Sequence, residues 1–297
     1  MERSKPVGVS WVMRSAAVIV ALAILLIAPA SPAQEPAFEV ASVRPNVSGG
    51  TTSFRAAPNG QLTATNTPLR ALILRAYGLH DSQLIDAPEW TALERFDIDA
   101  RAEQAPASGP DALLPMLRTL LVDRFRLKAR AETRELPAYL LMHARSDRRL
   151  GEQIRPTQAD CTTAKVMTKA ELSAVAKDGW PPCGQSVSIA FLMTSSDGTE
   201  GERIRVRRSA IAMRDFATML QGSVERPVVD RTGLEGMFDV EYAFDPAPSG
   251  PANQLAAGAN VPVLGVALEE QLGLKLESER AEVPVLVIES VERPTAN

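Results

Sequence analysis

The chain has 297 residues, a formal net charge of −4 and 45% hydrophobic residues. That hydrophobic share excludes global disorder, and the length suits two domains, each able to bury its own core. An acidic balance excludes the basic footprint of a nucleic-acid binder, and 5% aromatics leave few rings for a sugar platform.

Arg3, Lys5 and Arg14 precede an apolar run from Ala16 to Ile27, and Ser31-Pro32-Ala33 follows. A positive flank, a short apolar core and a small-residue site predict a signal peptide over residues 1–33, cleaved after Ala33. The run is shorter than the roughly 20 residues of a spanning helix, so no stable membrane span is expected after cleavage. Cleavage removes one negative charge (Glu2) and three positive ones (Arg3, Lys5, Arg14), moving the formal charge from −4 to −6. The expected destination is secreted or periplasmic.

A first module is expected over 37–143. Phe38 to Val43 alternates as a strand, and Phe54–Ala57 with Gln61–Thr65 reads as a hairpin around Pro58-Asn59-Gly60. Thr67 is the expected N-cap of a helix with Pro68 at its first position, an apolar face of Leu69, Leu72, Ile73 and Ala76, and Gly78 as its end. Leu84-Ile85 is a short strand entry, and Arg95 to Ala102 the next strand. Asp111 then caps a second helix through about Arg124. Phe125–Ala131 and Ala138–His143 read as a last hairpin, with Pro137, like Pro284 later, at a strand start.

Residues 144–185 read as an irregular, polar linker with one short helix near Ala170–Ala176. They hold the only cysteines, Cys161 and Cys183, which in an exported chain read as a structural disulfide; a metal pair lacks histidines nearby and a redox pair lacks close spacing. The second module, 186–293, has a hairpin of Ser186–Thr194 and Arg203–Arg207 around Asp197-Gly198 and a helix over Met213–Leu220. Val228-Val229 and Met237–Phe244 are its next strands, Pro246–Ala259 a loop and Val263–Leu272 a helix. Lys275–Glu277 and Val285–Val291 close it, leaving 294–297 as a tail.

The two modules align. Leu121, Phe125, Leu127, Glu135 and Pro137 match Leu268, Leu272, Leu274, Glu282 and Pro284 at an offset of 147; Leu69, Gly78 and Asp86 match Met213, Gly222 and Asp230 at 144; Phe96-Asp97-Ile98-Asp99 matches Phe238-Asp239-Val240-Glu241 at 142. The reading is α+β: two tandem copies of a β-α-β-β-α-β-like module, small mixed sheets with helices packed on one face.

Signals for chemistry are sparse. Asp230-Arg231-Thr232-Gly233 reads as a turn rather than a phosphorylated-aspartate motif, because the lysine of that motif is arginine here. His80 and His143 have no activated nucleophile beside them in sequence, and Glu94, Asp97, Asp99, Glu269 and Glu270 read as solvated faces. No catalytic, cofactor or metal residue is therefore assigned. The candidate partner-binding residues are Arg203, Arg205 and Arg207, alternate positions of one strand with Arg208 beside them, and Trp180 in the linker. An edge strand guarded by charge is the blander reading of those arginines.

Phe38-Glu39-Val40-Ala41-Ser42-Val43-Arg44-Pro45-Asn46, Arg95-Phe96-Asp97-Ile98, Val229-Asp230-Arg231-Thr232-Gly233-Leu234, Glu270-Gln271-Leu272-Gly273-Leu274-Lys275-Leu276-Glu277 and Val291-Glu292-Arg293-Pro294 resemble a soil-bacterial family of uncharacterised secreted proteins. Relatives of its domain can sit behind membrane metallopeptidases of the antirepressor type, which implies a sensory or interaction role. Each half, by Thr65–Ile73 and Ala267–Glu277, also resembles the short N-terminal domain of secretins and TonB-dependent receptors, non-catalytic adaptors of the bacterial envelope. The expectation is a non-catalytic binding protein of the cell envelope whose partner is another envelope protein or a cell-wall component. The alternatives are an envelope hydrolase using carboxylates between the modules, or an extracytoplasmic ligand sensor.

Overall fold

The computed structural model of the protein describes residues 36–57, 59–104, 110–161, 167, 169–175, 179–194, 200–244 and 264–294. The expected signal segment, the Asp197-Gly198 turn and the Pro246–Ala259 loop lie outside them. The first half runs β1 (Val40–Pro45), β2 (Ser53–Ala56), β3 (Gln61–Pro68), α1 (Leu69–Tyr77), β4 (Leu84–Ile85), α2 (Trp90–Leu93), β5 (Arg95–Arg101), α3 (Leu114–Phe125) and β6 (Lys128–His143). The second runs β7 (Ile154–Pro156), α4 (Lys169–Val175), β8 (Ser186–Thr194), β9 (Glu200–Ile211), α5 (Met213–Leu220), β10 (Val228–Asp230), β11 (Phe238–Phe244), α6 (Leu264–Ala267, continued by a π turn over Leu268–Leu272) and β12 (Leu274–Ser290).

Among the described residues these strands form three four-stranded sheets, and the class is α+β. The first sheet has the order β1-β5-β3-β2 and the second β7-β11-β9-β8, both antiparallel. Position for position, the second order reproduces the first. The third sheet, β10-β6-β12-β4, is mixed and takes strands from both halves.

Helix spacing explains the packing. Leu69, Leu72, Ile73 and Ala76 are fully buried along one face of α1, and Gly78, at φ 64°, ends it in the left-handed conformation. Met213, Phe216, Ala217 and Leu220 do the same on α5. In the first core Phe96 meets Phe125 edge to face at 5.0 Å, and Leu286 and Ile288 arrive from β12. At roughly 1.5–3 kcal/mol per large buried side chain, those two residues alone tie the first half to a strand of the second.

Four expectations are corrected. The helix begins at Leu69, not Pro68, and Thr67 makes no N-cap bond; its Oγ1 donates to Ser53 O and Thr65 O within the hairpin. Each expected closing hairpin is instead half of one ribbon: β6 and β12 are continuous strands of 16 and 17 residues paired antiparallel along their length. Pro137 and Pro284 therefore lie inside strands rather than at their starts. Tyr139 N–H donates to Pro227 O on the β10 side, so by alternation position 137 faces the same side, where β10 has ended and no ladder donor is needed. Finally, residues 154–156 of the expected linker form β7, paired with β11.

The shared sheet is reciprocal. Leu84 and Ile85 of β4 pair with Leu286 and Val287, while Val228 and Val229 of β10 pair with Tyr139 and Leu140. At the offsets of 144 and 147 these are the same pairs, exchanged between halves. At the centre of the ribbon Glu135 stands opposite Glu282, its own counterpart, and Arg280 Nε donates to Glu135 at 2.7 Å. A separate apolar cluster of Ala138, Leu140, Ala281, Val283, Val285 and Val287 belongs to this ribbon.

Candidate functional site

The arginines singled out in the sequence stand on β9, an inner strand between β11 and β8, which corrects the edge-strand reading. Arg205 and Arg207 oppose Ala243 and Glu241 of β11 on one side and Ile189 and Val187 of β8 on the other. Arg207 Nε lies 3.0 Å from Glu241 Oε2, and its Nη1 donates to Gly179 O at 3.0 Å. Its side chain is only 13% exposed. Arg205 Nε approaches the same carboxylate at 3.6 Å. Arg203 pairs through its backbone with Phe191, and its side chain lies outside the described residues. Arg208 points toward Asp111, at 3.4 Å.

Trp180 joins them from the linker. The guanidinium of Arg155 on β7 sits 4.6 Å over its ring, and Arg155 Nε is 3.7 Å from Asp239. Residues 179–185 thus form a strap over this sheet face, held by Gly179 O, by Trp180, and by the Gly184 N–H donated to Ser209 O. The disulfide Cys161–Cys183, with Cα atoms 5.5 Å apart, ties the strap to the chain just beyond β7. Of the sequence candidates, the structure brings Trp180, Arg205 and Arg207 together. It adds Arg155, Asp239 and Glu241, which sequence reasoning missed. A signal existed: Ile154-Arg155-Pro156 repeats Val43-Arg44-Pro45, and each arginine faces the aspartate of a Phe-Asp pair, Asp239 or Asp97.

Those aspartates have a further role. β3 and β9 each carry a bulge at a residue with positive φ, Asn66 (49°) and Ala210 (52°). The freed backbone N–H of Asn66 donates to Asp97 Oδ1 at 2.8 Å, and that of Ala210 to Asp239 Oδ1 at 3.1 Å. A buried N–H left without an acceptor costs about 1–3 kcal/mol, which gives the Phe-Asp motif a structural reason in both halves. Asp97 also accepts Asn46 Nδ2 at 2.8 and 3.0 Å, closing the 46–52 loop, and Asn66 Nδ2 donates to Gly50 O.

The remaining candidates have local partners. Asp230 Oδ1 accepts from Thr232 N–H and Oγ1–H and Gly233 has φ 68°, so this motif is a turn. His143 Nε2 lies 3.1 Å from Thr232 O. Burial lowers the pKa of His80 against the raising influence of Asp81, and its Nδ1 accepts from Ser82 N–H at the start of a single turn. The hydrogen bond from Arg70 holds the Asp81 carboxyl below its usual range. Glu94 precedes β5 and binds Arg293 at 2.9 and 3.0 Å, whose guanidinium also covers Trp90 at 4.8 Å. Gln61 Nε2 donates to Asp99 at 3.4 Å, and Glu269 and Glu270 are exposed on the π turn. Burial raises the Tyr242 hydroxyl beside Phe216 and Phe244. Among the described residues no group of acidic, histidine or cysteine side chains is arranged to hold a metal, and no helix is long and apolar enough to cross a membrane.

Fold and surface together define a disulfide-stapled α+β protein in which two like sheets are joined by a shared one. The chain belongs to the family described as "Protein of unknown function (DUF3738)", which matches residues 70–291, from α1 to just beyond β12. It has no match among curated proteins or solved structures.

Proposed function

We propose that this chain is an exported, non-catalytic binding protein of the bacterial envelope that holds its partner by strand addition. The observation that carries the reading is β8: a nine-residue strand with neither a charge nor a proline, standing at the edge of the second sheet. Such an edge presents a row of backbone donors and acceptors to an added strand. Export is supported by the pattern of residues 1–33 and by the disulfide, which persists in oxidising compartments. The likeness of each half to secretin and TonB-receptor short N-terminal domains, and the attachment of related domains to membrane metallopeptidases, point to the same adaptor role.

A photo-crosslinking residue at Ser188, which is exposed on β8, tests this in intact cells. A discrete adduct is expected, lost when Ala190→Pro is added. Adducts no different from those of the same probe at Arg101, on the first sheet, would remove the basis for the reading. Mass spectrometry of the exported protein should give Gln34 as the first residue.

A further inference from the structure

This inference rests on the strand-addition reading and names its partner. Among the described residues the sheets present six edge strands, and five are defended. β4 and β10 have two and three residues. β7 has three, two of them Arg155 and Pro156. β2 has four, including Arg55. β1 ends in Arg44-Pro45, and Arg124 Nη2 donates to its Ala41 O at 3.3 Å. Short length, charge, proline and covered carbonyls are the usual means of blocking edge-to-edge pairing. β8, Ser-Val-Ser-Ile-Ala-Phe-Leu-Met-Thr, uses none of them.

Register shows which groups β8 offers. Ser209 N–H donates to Gln185 O, Ala210 N–H turns toward β11, and Glu241 N–H turns away from β9 toward Gln153 O. Odd-numbered residues of β9 therefore face β8, where they oppose odd-numbered residues of β8. The N–H and C=O groups of Ser186, Ser188, Ala190, Leu192 and Thr194 consequently point outward, and among the described residues no strand meets them.

We propose that this edge pairs antiparallel with β8 of a second copy, about a two-fold axis at Ala190, joining two four-stranded sheets into one. An antiparallel pair of identical strands is two-fold symmetric, so one patch serves both partners. With Ala190 opposite Ala190, Ser188 meets Leu192 and Ser186 meets Thr194, and about ten backbone hydrogen bonds close the joint. No charge lies on the strand to repel its copy.

Sedimentation of the mature protein across the micromolar range, with hydrogen exchange on the same samples, tests the proposal. The wild type should shift from monomer to dimer, with the amides of Ser188, Ala190 and Leu192 becoming protected as the dimer fills. Ala190→Pro removes only an outward N–H, so it should remain monomeric with unchanged circular dichroism and melting temperature. Ala190→Lys, which sets two like charges directly opposite each other on the axis, should also abolish the dimer and serves if the proline variant does not fold. A wild type that stays monomeric throughout, or a dimer that survives in a folded Ala190→Pro or Ala190→Lys protein, overturns the proposal. If the wild type is monomeric and the Ser188 probe still captures another protein in cells, self-pairing fails while the binding reading stands. If the dimer forms and the probe captures only copies of the chain, self-pairing holds and the adaptor reading fails.

Discussion

In the first half, β1 and β2 are joined by residues 46–52, a loop closed by Asn46 on Asp97; in the second, β7 and β8 are joined by residues 157–185, which carry the disulfide and the strap. The flanking strands have the same order and each half has a bulge tied to an aspartate. The halves therefore share a frame and differ in what is mounted on it. In the first, Asp99 and Arg101 are exposed; in the second, Glu241, the counterpart of Asp99, pairs with Arg207, whose guanidinium also donates to Gly179 O of the tethered loop. The longer insertion also accompanies the longer edge, since β2 has four residues and β8 nine. Elaboration has gathered on one half, and the surface proposed for partners lies there.

The comparison can be broken most forcefully at the staple. Changing Cys161 and Cys183 together to serine should destabilise by about 3 kcal/mol in the chain-entropy model, read by urea unfolding, with Trp180 emission shifting to the red as the strap leaves Arg155. No equivalent change exists in the first half. Next come the bulge aspartates. Asp239→Ala should cost about 2 kcal/mol and Asp97→Ala about 3, because Asp97 also holds Asn46; equal costs would mean that the loop bond contributes nothing. The bulge residues themselves should then separate. Ala210→Gly is expected to stabilise by about 1 kcal/mol by relieving a left-handed alanine, while Asn66→Gly should gain nothing, since asparagine tolerates that conformation and its side chain bonds Gly50 O.

At the ribbon centre, Thr133 occupies the place that Arg280 takes in the other half. Thr133→Arg should give Glu282 the partner Glu135 already has, raising stability by about 0.5 kcal/mol in thermal melts at low salt; no gain would show that the reciprocity is geometric only. The smallest effect concerns His80. Its folded pKa lies below the ordinary imidazole value of about 6.5, so its neutral ring is favoured by folding; that contribution is present above this pH and is lost as pH falls through the folded value. Below pH 6.5 the wild-type melting temperature should fall more steeply than that of His80→Asn. Asp81, whose own pKa is lowered by Arg70, stays charged across that window.

Much of this was legible in advance because it is local. Leu69, Leu72, Ile73 and Ala76 declare a helix face by spacing, Gly78 ends it, and Asp230 with Gly233 makes a turn from its own side chains. The ribbon was not legible. Residues 132–136 and 278–283 fell between the expected strands, and Pro137 and Pro284 read as strand starts, because the continuity of both strands comes from a partner almost 150 residues away. The site was half visible: Trp180, Arg205 and Arg207 stood out by type, whereas Arg155, Asp239 and Glu241 matter through cross-strand pairing.

By itself, then, the sequence determined the α+β class, the helix faces, the turns, the cysteine pair and the likeness between the halves, since each depends on short-range periodicity, backbone preference or matching residues. Tertiary structure alone decided that β4 and β10 cross to the opposite half, that β9 is an inner strand, and that β8 is an edge among the described strands. Those outcomes depend on which strands supply hydrogen-bond partners to which, a global competition that residue spacing does not encode.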